Sequence, residues 1–310
     1  MVQGAEGAPA RGGWPRAEGI DSAAAMRSRL AAAGYLADPA LATVAYLGLR
    51  LERPVLLEGE AGVGKTELAK ALSRVLDAPL VRLQCYEGID VSQALYEWNH
   101  ARQLLAIRQH EGGSGADLDL YSDRFLIRRP LLEALDPGDG RWRVLLIDEV
   151  DRSDDEFEAF LLEMLSDWQV TIPERGTLTC QRPPLVVLTS NRTRELHDAL
   201  KRRCLYHWID YPGFDAELAI VRLRIPDVPA QLARQVVAFV QRLRSLQLYK
   251  LPGVAETLDW AAALLALEQE RLEPELVAAT LGSLLKYQED LAAVGGPRLQ
   301  ELLAEVRVGG

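Results

Sequence analysis

Gly59-Glu60-Ala61-Gly62-Val63-Gly64-Lys65-Thr66 fits the pattern G-x-x-x-x-G-K-[ST]. Ahead of it, Pro54-Val55-Leu56-Leu57-Glu58 is a short apolar run of the kind that forms a buried strand. Behind it, residues 67–76 put Leu68, Leu72, Val75 and Leu76 on one helical face. Strand, Gly-rich loop and helix is the context in which such a loop takes a nucleoside triphosphate with Mg²⁺. The glycines let backbone N–H groups turn inward around phosphates, where a side chain would stand in the way. The helix N-terminus offers its positive end to the anion. Lys65 is expected to reach the β- and γ-phosphates, and the Thr66 hydroxyl to hold Mg²⁺. A Gly-rich turn that merely ends in Lys-Thr is the plain alternative, and both flanks speak against it.

Outward from the loop, strand-like runs recur at residues 80–83, 144–147, 185–188 and 205–209, with helical stretches between them. Buried apolar strands alternating with helices predict a parallel sheet covered on both faces. Helices are also expected over 22–33 and 39–51. Two stretches interrupt the alternation. Residues 88–130 combine a helical segment, a Gly-rich loop at 111–115 and a polar stretch. Residues 168–172 and 177–180 alternate around Pro173-Glu174-Arg175-Gly176 and read as a β-hairpin. From 215 to 293 the periodicity is helical only, as in Leu232, Val236, Val240 and Leu243. The expected division is a flexible tail over 1–20, an α/β domain over 21–211 and an all-helical domain over 212–310. No internal repeat is evident.

The 310 residues are 48% hydrophobic and 26% charged, the composition of a globular chain of one large or two moderate domains. A net charge of −10 argues against a broad nucleic-acid or anionic-membrane surface. Cys85, Cys180 and Cys204 are far apart and form no metal-ligand spacing with the four histidines. They read as buried thiols in a reducing cytoplasm. Neither a signal peptide nor an apolar run of membrane-spanning length is apparent.

Val144-Leu145-Leu146-Ile147 ends in Asp148-Glu149. Ligands of such sheets bind beyond the carboxyl ends of the strands, so both acids can serve bound phosphates. Asp148 is expected to take Mg²⁺ and Glu149 to polarise the attacking water. Ser153-Asp154-Asp155-Glu156 reads separately as a helix capping box. Asn191 closes the next strand-like run; it could orient that water or be an ordinary turn or cap residue. Lys201-Arg202-Arg203 is expected to end a helix that begins near Thr193. Cations suit a helix C-terminus, and one of them could equally be an arginine finger for a neighbouring subunit's ATP. Arg152 reads as functional or as a surface ion pair.

Phosphate loop, Asp-Glu strand end, Asn strand end and basic helix end, followed by a helical region, together resemble an AAA+ ATPase module with a pre-sensor-1 β-hairpin. Within it the chain is most similar to the MoxR family, and to its CoxD-like branch. The strings that carry the likeness are Cys85-Tyr86-Glu87-Gly88-Ile89-Asp90, Leu95-Tyr96-Glu97-Trp98-Asn99, Asp148-Glu149-Val150-Asp151-Arg152 and Arg194-Glu195-Leu196-His197-Asp198-Ala199-Leu200-Lys201-Arg202-Arg203-Cys204. The resemblance covers roughly residues 25 to 290. It implies a P-loop fold with a five-stranded parallel sheet between helices, plus an all-helical lid. It also implies ATP and Mg²⁺ as cofactors and a ring oligomer, commonly a hexamer, with ATP between subunits. The partners implied are a protein with a von Willebrand factor A domain and a metalloenzyme client, here a molybdenum hydroxylase such as carbon monoxide dehydrogenase. By motif, Gly59 through Glu67 bind nucleotide, Thr66 and Asp148 the metal, Glu149 and Asn191 act in hydrolysis, and Arg203 is the finger, with Arg202 the alternate. Tyr35 and Leu36 fall where an adenine-contacting segment would lie.

One departure stands out. Many relatives carry an Arg early in a lid helix, whereas this stretch reads Gly253-Val254-Ala255-Glu256-Thr257-Leu258. That feature motivates a second reading, a nucleotide-gated scaffold in which ATP drives assembly with a partner and hydrolysis is incidental. A nucleic-acid motor, with Arg175 at the hairpin turn touching DNA, is the third and least favoured, because Glu174 and the net charge oppose it.

Overall fold

The computed structural model describes residues 19–110, 118–136 and 138–308. The tail expected over 1–20 and the Gly-rich loop at 111–115 fall almost entirely outside them. In chain order the elements are α1 (Ala23–Ala32), α2 (Pro39–Leu51), β1 (Val55–Gly59), α3 (Lys65–Leu76), β2 (Leu80–Gln84), α4 (Val91–Ala94), β3 (Tyr96–Trp98), α5 (His100–His110), β4 (Leu126–Arg128), α6 (Pro130–Leu135), β5 (Val144–Asp148), α7 (Asp155–Asp167), β6 (Gln169–Ile172), β7 (Gly176–Thr179), β8 (Leu185–Ser190), α8 (Asp198–Arg203) and β9 (Leu205–Ile209). Helices alone follow: α9 (Phe214–Arg224), α10 (Ala230–Arg244), α11 (Val254–Ala266), α12 (Pro274–Thr280), α13 (Gln288–Val294) and α14 (Pro297–Val308).

Five strands form one parallel sheet in the order β2-β5-β8-β1-β9. Every residue of β1, β5 and β8 is buried, as expected of central strands covered on both faces. Because β1, β5 and β8 run parallel, their carboxyl ends share one edge of the sheet. β2 is an edge strand. Its register sets Arg82 beside Leu146 and Gln84 beside Asp148. Helix α2 begins where Asp38 accepts the N–H groups of Ala40 and Leu41 at 2.7 and 2.9 Å.

Contacts divide the chain into two units. Among the described residues, one holds those of 19–29, 38–58 and 69–207; the other holds those of 30–37, 59–68 and 208–308. The first has its core on the sheet, around Leu145, Ile147, Val186, Leu188, Phe157 and Leu161. The second has a helical core that includes Val236, Phe239, Val240, Trp260 and Leu302.

Several local expectations are corrected. The helix expected from Thr193 begins only at Asp198. Asp151 and Glu158 hold the intervening residues out of helical form, accepting from the Thr193 N–H and hydroxyl at 2.8 and 2.7 Å and from the His197 N–H at 2.9 Å. The N-cap of α7 is Asp154, which accepts from Phe157 N–H at 2.9 Å. Ser153 instead donates its hydroxyl to the Val150 carbonyl, so no Ser153 capping box forms. Cys85 and Cys204 are buried, while Cys180 is only half-buried.

The 88–130 stretch carries a small antiparallel ladder, β3 with β4, that the sequence did not announce. It packs against the hairpin β6–β7. Arg175 at the hairpin turn pairs with Asp123 at 2.7 Å, and the Trp98 indole donates to Glu174 at 3.3 Å. The turn arginine is thus engaged within the chain.

Candidate functional site

The acid end of β5 is built by its neighbours β8 and β2. Asp148 is buried. One of its oxygens accepts the Thr189 hydroxyl at 2.6 Å, and the other accepts Arg82 Nε and Nη2 at 3.0 and 2.6 Å. The Thr189 oxygen in turn accepts the Glu149 N–H at 2.9 Å. Glu149 sits at φ 54°, a left-handed conformation costly for a side-chain-bearing residue and concentrated at functional sites. Its carboxylate accepts from Gln84 at 3.0 Å, from Arg152 at 3.1 Å and from the Asn191 side-chain amide at 3.4 Å. Asp148, Glu149 and Asn191, three residues expected from sequence, therefore stand together, and Arg152 is the ion-pair partner of Glu149. Asp151, also buried, accepts the Asn191 N–H at 3.2 Å and so fixes the turn that carries the Asn.

Gln84, Arg82 and Thr189 complete this cluster. Arg82 and Gln84 alternate along β2 and so share a face, and Gln84 lies in register with Asp148. That alternation was the available signal, but it becomes informative only once β2 is known to neighbour β5. Cys85, next along, is a bystander. Burial, and then the charges of Asp148, Asp151 and Glu149, push its thiol up to about 12.

The basic end of α8 leaves Arg202 and Arg203 exposed. Their backbone is anchored from the start of β1: the Arg53 guanidinium donates to the carbonyls of Arg202, Arg203 and Cys204 at 3.0 to 3.3 Å. These carbonyls end a helix and want donors.

In the other unit, the loop turns through positive φ at Gly62 and Gly64, 78° and 97°. Only glycine enters that region without strain, and the turn makes a backbone concavity of the type that takes phosphates. Lys65 Nζ donates to the carbonyls of Gly59 and Glu60, both at 2.7 Å. A Cβ on Gly64 would come within 3.8 Å of the Tyr35 ring, so Tyr35 flanks the loop, while Leu36 is exposed. Glu67 pairs with Arg224 of α9 at 3.7 Å. The stretch that lacks an Arg lies against the loop: Ala255 N–H donates to the Gly62 carbonyl at 3.2 Å. Glu256 accepts the Gly253 N–H at 2.9 Å. Behind it, Arg244 makes two bonds to buried Glu217 at 2.7 and 2.8 Å and donates to the Pro252 carbonyl at 2.7 Å. None of these three was anticipated from sequence.

The donors suit the expected cofactors. The glycine turns and the Lys65 ammonium fit an oligophosphate. Mg²⁺ takes hard oxygen ligands and is commonly held by one or two carboxylates together with phosphates, and Asp148 offers such a carboxylate. Among the described residues no group of three or more His, Cys, Asp or Glu could hold a metal by itself, and none of their helices is long and apolar enough to cross a membrane.

Residues 54–204 match the family model of the AAA domain, dynein-related subfamily. The denitrification regulatory protein NirQ of Pseudomonas aeruginosa is 27% identical over 211 residues, 66% of this chain and 72% of that protein. The gas vesicle ATPase GvpN of Haloferax mediterranei is 25% identical over 205 residues, 63% of this chain and 58% of that protein. Among solved structures, the Thermotoga maritima RuvB Holliday junction branch migration motor is 17% identical at a TM-score of 0.44, over 91% of this chain and 80% of that one. Residues 54–204 thus form an AAA domain with a P-loop fold, and the chain is an ATP hydrolase.

Proposed function

We propose that this protein is a MoxR-type AAA+ ATPase that uses ATP hydrolysis to remodel a protein client. Its organisation is an α/β ATPase domain over 21–211 followed by a helical lid over 212–310. Gly59 through Glu67 bind the triphosphate, with Tyr35 and Leu36 toward the base. Thr66 and Asp148 hold Mg²⁺, which when bound offsets phosphate charge. Glu149 takes the proton of the attacking water, and Asn191 orients Glu149 and that water. Arg203, or Arg202 beside it, reaches the ATP of the next subunit in a ring, most simply a hexamer. The observation that carries this reading is the Glu149 carboxylate with Asn191 and Gln84 both donating to it, beside a buried Asp148.

The client is a metalloenzyme, and specifically a molybdenum hydroxylase such as carbon monoxide dehydrogenase, with a von Willebrand factor A protein as adaptor. The strings quoted above support this choice. The relative named as a denitrification regulatory protein is compatible with service to another enzyme system.

Specific ATPase activity measured against protein concentration, in Mg²⁺ without a partner, tests the core of the proposal. Activity that rises and saturates is expected of sites completed between subunits. A flat line near zero would overturn it.

A further inference from the structure

Arg82 is an unusual neighbour for a metal-binding carboxylate. Its Nε and Nη2 both address one oxygen of Asp148, at 3.0 and 2.6 Å, and Nη2 also donates to the side-chain carbonyl of Gln84. The other end of the Gln84 amide donates to Glu149 at 3.0 Å. An unbroken chain therefore runs Asp148, Arg82, Gln84, Glu149, using the guanidinium fork and both ends of an amide. The two members of the ion pair differ in freedom: the Asp148 side chain is 5% exposed and Arg82 is 52% exposed on an edge strand. The acid is fixed, whereas the arginine can swing into water at little cost.

We propose that Arg82 is a positioning residue with two linked jobs. With or without metal it holds Glu149 through Gln84; without metal it also neutralises Asp148, and Mg²⁺ binding displaces it from Asp148 alone, so Arg82 sets how much Mg²⁺ the site needs. This rests on the reading of Asp148 as the Mg²⁺ carboxylate. A lysine at this position would keep the charge but lose the fork that reaches Gln84.

The test is thermal unfolding of the full chain with a non-hydrolysable ATP analogue, titrated with Mg²⁺, for wild type, Arg82→Gln and Arg82→Lys, followed by steady-state ATPase kinetics. Arg82→Gln is expected to melt lower without Mg²⁺ and to reach half of its Mg²⁺-induced shift at several-fold lower Mg²⁺. Arg82→Lys is expected to keep the wild-type midpoint. Both variants should lose several-fold in kcat with KM for ATP little changed. An unchanged or raised midpoint in Arg82→Gln overturns the competition with Mg²⁺. A wild-type kcat in Arg82→Lys, which retains the charge and is the variant less exposed to misfolding, overturns the link to Glu149. If wild type itself shows no Mg²⁺-dependent shift, the Mg²⁺ assignment of Asp148 fails first, and this proposal falls with it.

Discussion

Thr189 uses one hydroxyl twice, donating to Asp148 and accepting from the Glu149 N–H. One side chain from β8 thereby fixes the two acids that end β5. Thr189→Val keeps the shape and removes both bonds, leaving a buried carboxylate short of a donor. Such a loss costs about 1–3 kcal/mol. Chemical denaturation should report that loss, together with a reduced kcat, whereas unchanged stability would mean that the hydroxyl is replaceable by water. At the same scale, burial raises Cys85 and Cys204 to about 12 from their ordinary 9.0. In the unfolded chain they ionise from about pH 9, so the unfolded state then binds fewer protons and stability falls as pH rises from 9 toward 12. Below pH 9 both states hold the thiol protons, and stability does not change with pH on their account. Cys85→Ala should therefore flatten the fall in stability above about pH 9, and an equal fall in both proteins would show that the thiol is solvated. The loop, Asp148, Glu149 and Asn191 could be read from the chain because each lies in a contiguous string with its own strand or helix signal. Arg82 and Gln84 could not, because their meaning comes from a partner strand more than sixty residues away, reached through register alone.

Elements were legible where the pattern was local. Helix α2 spans Pro39–Leu51 as its periodicity and its Asp38 cap dictate. The hairpin follows from alternation around a Pro/Gly turn. The pair β3–β4 was not legible, since three-residue strands carry almost no periodicity and meet across an intervening helix. Helix α8 is shorter than its sequence suggests because side chains from other segments, Asp151 and Glu158, take the N–H groups of Thr193 and His197. Helix α11 gives the sharpest test at this scale. A Cβ on Gly253 would stand 2.7 Å from the Ala61 carbonyl oxygen and 2.9 Å from Gly62 Cα. Both are backbone atoms of the phosphate loop, which cannot yield as a flexible side chain does. Gly253→Ala should cost about 1–3 kcal/mol by overpacking and weaken ATP-analogue binding in calorimetry. Gly282→Ala, where a Cβ meets nothing within 4 Å, is the matched control and should bind as wild type. Equal binding by the two variants would mean that α11 does not support the loop.

For the whole molecule, the sequence indicated a sheet part and a helical part, because periodicity changes from strands alternating with helices to helices alone after Ile209. It did not indicate that residues 30–37 and 59–68 group with the helical unit, since that grouping comes from packing and not from any local signal. Nor could it say how the basic end of α8 is held, which depends on Arg53, about 150 positions away in the chain. That anchoring matters for assembly. Arg202 and Arg203 are exposed, on a segment whose backbone is fastened, which is what an arginine offered to another subunit requires. If Arg203 acts in trans, Glu149→Gln and Arg203→Ala damage different sides of the same interface. Each alone should be nearly inactive. Mixed in equal amounts and allowed to exchange, they should regain activity, because head-to-tail contacts in a ring of random composition pair an intact Glu149 with an intact Arg203 at about a quarter of interfaces. Recovery should vanish when both changes are placed in one chain and mixed with itself. Recovery with Arg202→Ala in place of Arg203→Ala would move the finger to Arg202. Two inactive variants that stay inactive at every ratio, despite demonstrated subunit exchange, would mean that the arginine serves its own subunit, and the ring would then have to be argued from other contacts.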